Sequence, residues 1–86
     1  MEKVKVGKVY RHFKGNYYYV ESIALNSETQ ERMVIYRPIY DREDSKIWVR
    51  PENMFLEEIA TDRPDNPTGQ AHRFELVKEI EKNYLS

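Results

Sequence analysis

This sequence predicts a mainly β domain: a small, partly open barrel followed by a C-terminal helix. Three observations carry that expectation. The 86 residues include seven tyrosines, three phenylalanines and one tryptophan, and aromatic and β-branched residues with few alanines favour strands over a helical bundle. Short runs of alternating character are broken by turn chemistry every few residues, a spacing that suits a small barrel better than a sandwich. From Ala71 the apolar period changes from two to between three and four.

One domain is expected over residues 1–86, with a barrel over 7–59, a loop over 60–70 and the helix over 71–85. A chain this short buries only about 60–65% of the surface it exposes unfolded, so its core must be dense. The large rings supply that density.

The elements follow in order. Val4 and Val6 alternate with Lys3 and Lys5 as a short edge segment. Lys8 to Phe13 alternates as a first strand. Gly15-Asn16 reads as a two-residue hairpin, because glycine supplies the positive φ such a turn requires. Tyr17 to Leu25 is the longest β-prone run. Tyr18, Val20, Ser22 and Ala24 are expected to face inward, since the opposite set contains Glu21.

Asn26 to Gln30 is a turn, where short polar side chains replace ladder hydrogen bonds. Met33 to Tyr40 is the next strand, ending or bulging at Pro38, which has no N–H to donate. A charged loop, Asp41 to Ser45, leads into a strand over Lys46 to Arg50. Pro51 holds Arg50 extended and opens a helical turn at Glu52-Asn53-Met54. Phe55 to Ile59 is a last short strand, and Thr61 to Gly69 is loop. Phe74, Val77, Ile80 and Tyr84 then form the apolar stripe of an amphipathic helix that must dock to be stable.

The stretch Ile47-Trp48-Val49-Arg50-Pro51-Glu52-Asn53-Met54-Phe55 organises the candidate chemistry. Trp48 has two readings, a core ring or the floor of a groove of the kind that peptide-binding barrels present. Core is the stronger reading. Arg50 suits bidentate capture of a carboxylate or phosphate, and equally the capping of orphan carbonyls or pairing with Glu28. Arg11 and Lys14, with Arg37, would give a basic patch interleaved with Tyr10, Tyr18, Tyr36 and Trp48. His12 has the ordinary pKa of a general base but no partner in sequence to activate it.

At this point the residues resemble a known family. Tyr10-Arg11-His12-Phe13-Lys14-Gly15, Tyr18 and Val20, Ser27-Glu28-Thr29, Tyr36, and Trp48-Val49-Arg50-Pro51 with Met54-Phe55 resemble domain of unknown function 1653. The resemblance runs from about Gly7 to Ile59 and implies an SH3-like barrel in a bacterial protein. Arg73-Phe74-Glu75 resembles the end of the family's pattern, where the chain pairs as a strand. For those residues the strand and helix readings compete. The resemblance implies no activity, and function is carried by a site rather than a fold.

Several function classes are excluded or disfavoured. There are no cysteines, so no disulfide framework or thiolate chemistry. With only His12 and His72 there is no zinc spacing, and three glycines make no phosphate loop. No cofactor, metal or catalytic residue is expected. Met1 to Lys5 lacks the apolar stretch of a signal peptide, no run is long enough to cross a membrane, and a cytoplasmic protein is expected. Residues 1–50 hold ten Lys/Arg against seven Asp/Glu, and residues 51–86 four against eight. That surplus is far from the footprint of a dedicated DNA binder.

The leading expectation is a non-enzymatic module that binds a peptide or protein through Tyr10, Arg11, His12, Tyr18, Tyr36, Trp48 and Arg50. Its motivation is that Tyr, Trp and Arg are enriched at interaction hot spots. The alternatives are single-stranded nucleic acid on the same face, and, further behind, a small enzyme using His12 and Arg50 on an anionic substrate. A homodimer through the C-terminal helix is a further option for partners.

Overall fold

The computed structural model of the chain describes residues 3–39 and 46–77. Five antiparallel strands form one sheet: β1 Val9–His12, β2 Tyr17–Leu25, β3 Arg32–Pro38, β4 Trp48–Pro51 and β5 Phe74–Leu76. One short helix, α1 Glu52–Phe55, follows β4 directly. The spatial order is β4-β3-β2-β1-β5, so β4 and β5 are the edges and the sheet is not closed.

The mainly β architecture is as expected, and β1 to β4 lie where the alternating runs place them. The details differ where local chemistry was more specific than the pattern. The first hairpin turns over His12 to Gly15 rather than through two residues. Gly15 N–H donates to His12 O at 2.7 Å, and Gly15 takes φ 109°. Glycine at the end of such a turn absorbs the left-handed step that a longer loop requires. The turn at Asn26 is as expected: its Oδ1 accepts from the Glu28 and Thr29 amides.

A bulge in β2 corrects the inward set. The register with β3 shifts between Val20 and Ser22, and one extra residue reverses which side each later side chain faces. Tyr18 and Val20 point to the core as expected, but beyond Glu21 it is Ile23 that packs there. Ser22 and Ala24 are exposed.

The C-terminal helix expected over 71–85 is absent where it can be seen. Phe74–Leu76 is a strand paired with β1, with His12 opposite Phe74 and Tyr10 opposite Leu76. Residues 78–85 lie outside the described residues. The apolar period near Phe74 was shared by both readings, and the free hydrogen-bonding edge of β1 decides between them. The strand expected over Phe55 to Ile59 is also replaced: Phe55 ends α1, and Glu58 forms an isolated bridge with His72.

The core is a lattice of rings on one face of the sheet. Phe55 from α1 and Phe74 from β5 stack at 4.0 Å with only 4° between their planes. Tyr36 meets both edge-on, at 5.3 and 5.4 Å, and Tyr18 meets Tyr36 and Phe74 at 5.5 Å. Val20 and Val34 fill the centre. Glu52 anchors α1: its carboxylate accepts from the Val4 amide at 2.9 Å and from Arg32 Nε at 2.8 Å.

Because Phe74 is fully enclosed, Phe74→Ala should cost about 3–5 kcal/mol of stability, as truncated core rings do. Trp48→Ala should cost less than about 1 kcal/mol, as at surface positions. Urea denaturation of the two variants beside the wild type measures both.

Candidate functional site

The register of the sheet assigns each candidate residue to a face. Tyr10 pairs with Tyr18, Val20 with Tyr36, Tyr36 with Trp48, and Val34 with Arg50. Directly opposed residues point to the same side. Tyr10, His12, Tyr18, Tyr36, Trp48 and Arg50 therefore share the ring-bearing face.

Arg11 does not join them. It points to the opposite side, where its Nε donates to Gln70 Oε1 at 2.7 Å, while Gln70 Nε2 donates to Arg11 O. Its role is to pin the 60–73 loop onto β1. Arg37 is also on the far side, paired with Glu21 and lying over the Tyr19 ring. The patch that sequence spacing suggested thus loses two of its cations to the back of the sheet.

What remains is a compact group around Phe74. His12 packs edge-on to Phe74 at 4.8 Å and lies 6.3 Å from Tyr18. The Arg50 guanidinium lies over the Phe74 ring at 6.0 Å, and its Nε donates to Tyr36 Oη at 3.2 Å. Tyr10 and Tyr36 are buried, with 4% and 5% exposure, so their rings serve the core. Trp48 is not a core residue: it is 47% exposed, and its neighbours Ile47 and Val49 are 62% and 58% exposed. β4 is an edge strand, so no strand pairs with its outer side among the described residues.

His12 is held neutral. Its pKa drops to about 4 through burial first, and then through the positive charges of Arg73, Arg50 and Lys14. A neutral imidazole of such low basicity is a poor general base near pH 7. Nor does His12 line the cavity of about 660 Å³ between the N-terminal segment, α1 and β5, whose polar walls are Lys3, Lys5, Glu52, Glu58, His72 and Glu75. Among the described residues no group of three His, Asp or Glu is placed to hold a metal. No described helix is long and apolar enough to cross a membrane.

Sequence reasoning missed Phe74 and Arg73 as site residues, because a helical reading of Ala71 onward directed attention to their apolar stripe. The signal that would have found them is Arg73-Phe74-Glu75 itself, read as a strand opposite His12. Arg73 is held by Glu57 at 2.7 Å and lies over the Phe13 ring.

Fold and site together define a small antiparallel β domain with a buried ring lattice and an aromatic–basic edge. The family described as protein of unknown function (DUF1653) matches residues 8–76. The chain belongs to that family. A crystal structure of a DUF1653 protein from Bordetella bronchiseptica is similar, with a TM-score of 0.67 and 31% identity over 86% of this chain and 87% of that one. No match is found among curated proteins.

The His12 environment makes a pH prediction. Below pH 6.5 the unfolded chain takes up a proton that the folded site refuses until about pH 4. Stability should therefore be intact above pH 6.5 and fall as pH drops through that window. His12→Phe, which keeps a ring against Phe74, should flatten the decline between pH 7 and 5 in urea-midpoint measurements; an unchanged slope would refute the assignment.

Proposed function

We propose that the protein is a non-enzymatic binding module that recognises a protein or peptide segment at the β4 edge, with Trp48 and Arg50 as its principal contacts. The observation that carries this reading is the exposure of Trp48 and Val49 on an edge strand that pairs on one side only among the described residues, with exposed Ile47 just before it. An open, apolar edge is a template for a further strand, and a tryptophan beside an arginine is hot-spot chemistry. His12 and Tyr18 frame the same face. Tyr10 supports it from the core, and Arg11 supports it by holding the loop behind β1. The absence of cysteine suits a cytoplasmic setting.

Single-stranded nucleic acid is less well supported. Successive bases need open rings to stack on, whereas Tyr10 and Tyr36 are enclosed and Trp48 alone among the four candidate aromatic rings is exposed. An enzymatic reading is weakened by the low basicity of His12.

Selection of a phage-displayed random heptapeptide library on the wild type, with counter-selection on Trp48→Ala, tests the proposal. The expected result is an enriched pool that binds the wild type and loses at least about tenfold in affinity on the variant, equivalent to about 1.4 kcal/mol, while the variant's melting temperature stays within a few degrees. Enrichment indifferent to Trp48 counts against the reading. Tight binding of fluorescent oligonucleotides that weakens steeply with salt would favour nucleic acid instead.

A further inference from the structure

We infer that the segment received at the β4 edge is an extended peptide carrying a carboxylate side chain, and that Arg50 holds that carboxylate. This rests on the binding reading above and adds the chemistry of the ligand.

The backbone of β4 comes first. Pro51 pairs with Met33, but proline has no N–H, so that pair cannot exchange the two reciprocal hydrogen bonds of a bonded pair and takes the non-bonded place in the ladder. Antiparallel pairs alternate between bonded and non-bonded. Val34–Arg50 and Tyr36–Trp48 are therefore the bonded pairs, and the N–H and C=O of Val49 point away from β3 to the open edge. A peptide strand can pair with Val49 through two hydrogen bonds. The residues on either side of that pairing position then project toward the face that carries Trp48 and Arg50, within cross-strand reach of both.

Charge identifies what those positions accept. Arg32, Arg37, Arg63 and Arg73 are each paired with a carboxylate, from Glu52, Glu21, Asp65 and Glu57 in turn, and Arg11 is held by Gln70. Arg50 has no carboxylate partner among the described residues. Its Nε is occupied by Tyr36 Oη and its plane is steadied over Phe74. The rotamer cost of binding is thus largely met beforehand, with the guanidinium Nη atoms left for a ligand. An oriented guanidinium captures a planar carboxylate more tightly than an amide of the same shape. His12, which packs on the same Phe74 ring, is neutral and does not compete for the anion. Trp48 and Val49 on the strand, with Ile47 just before it, call for apolar flanks. Free phosphate would use the charge and leave the strand edge and the apolar side chains without a partner.

The test is selection of the same heptapeptide library in parallel on wild type and on Arg50→Gln, followed by titration of one selected peptide and its Glu→Gln or Asp→Asn twin, read by emission of Trp48, the chain's single tryptophan. The wild-type pool should be enriched in Asp or Glu at one position flanked by apolar residues. The amide twin should bind at least about tenfold more weakly, and Arg50→Gln should bind both twins alike. Arg50→Lys, which keeps the charge without the planar fork, should recover part of the preference and shows that loss in the glutamine variant is not unfolding. A Trp48-dependent pool with no acidic preference, or a preference that survives Arg50→Gln, overturns this inference and leaves the binding reading standing. A pool with no Trp48 dependence overturns both. Concentration-dependent sedimentation with a blue shift of Trp48 in the absence of peptide would mean that a second copy takes the edge, and overturns it too.

Discussion

The stack of Phe55 on Phe74 is the contact on which the remainder of the structure depends. Phe55 follows β4 by one helical turn, and Phe74 opens β5, so the two rings come from the two edges of a five-stranded sheet. Their 4.0 Å separation requires the sheet to curl until its ends approach over one face. Among the described residues no ladder of hydrogen bonds closes the sheet, so the rings do in apolar contact what a barrel does with its backbone. Tyr18 and Tyr36 then pack edge-on into the space beneath, a geometry that places the positive rim of one ring against the negative face of another.

Polar groups secure the pieces that the rings cannot. The long loop after α1 has little regular structure, and a loop without a ladder must satisfy its backbone otherwise. Buried Asn66 donates to Ala60 O and Gln70 O, and buried Gln70 donates to Arg11 O and His72 O. These bonds deliver Phe74 to the edge of β1 in register. Glu52 performs the corresponding task for α1. Burial opposes its ionisation, but hydrogen bonds from Arg32 and from the Val4 amide, with the nearby charges of Arg32 and Lys3, outweigh that and keep its pKa low. Interactions with the carboxylate therefore hold the N-terminal segment, β3 and α1 together.

Much of this was legible in the sequence, and the parts that were not have identifiable causes. Alternation located β1 to β4, and Pro51 announced both the end of β4 and the start of α1. Alternation could not reveal the bulge after Val20, because a bulge is set by pairing with β3 and has no signature in β2 alone. The period near Phe74 fitted helix and strand alike over so few residues. Only the vacant edge of β1, a long-range fact, distinguishes them. The site was legible in its residue types and not in its faces. Tyr18, Tyr36, Trp48, His12 and Arg50 converge, but Arg11 and Arg37 occupy odd positions relative to them and go behind the sheet. Trp48 illustrates the same limit: residue type argued for the core, and position on an edge strand overrides type.

That edge raises a physical problem of its own. Three consecutive exposed apolar residues beside unpaired backbone groups invite uncontrolled sheet growth. The chain confines the danger to a few residues. Lys46 stands before Ile47, and a charged residue discourages pairing beyond it. Pro51 ends the strand after four residues and cannot extend a ladder. The usable edge is thus long enough for one short extended segment and too short for a broad flat sheet. Pro51 also takes φ −55° and ψ 140°, the extended geometry from which α1 begins, and α1 carries Phe55 into the ring stack. The residue that limits the open edge is therefore the one that commits the chain to its core, so β4 cannot be extended past Pro51 without moving Phe55 off Phe74.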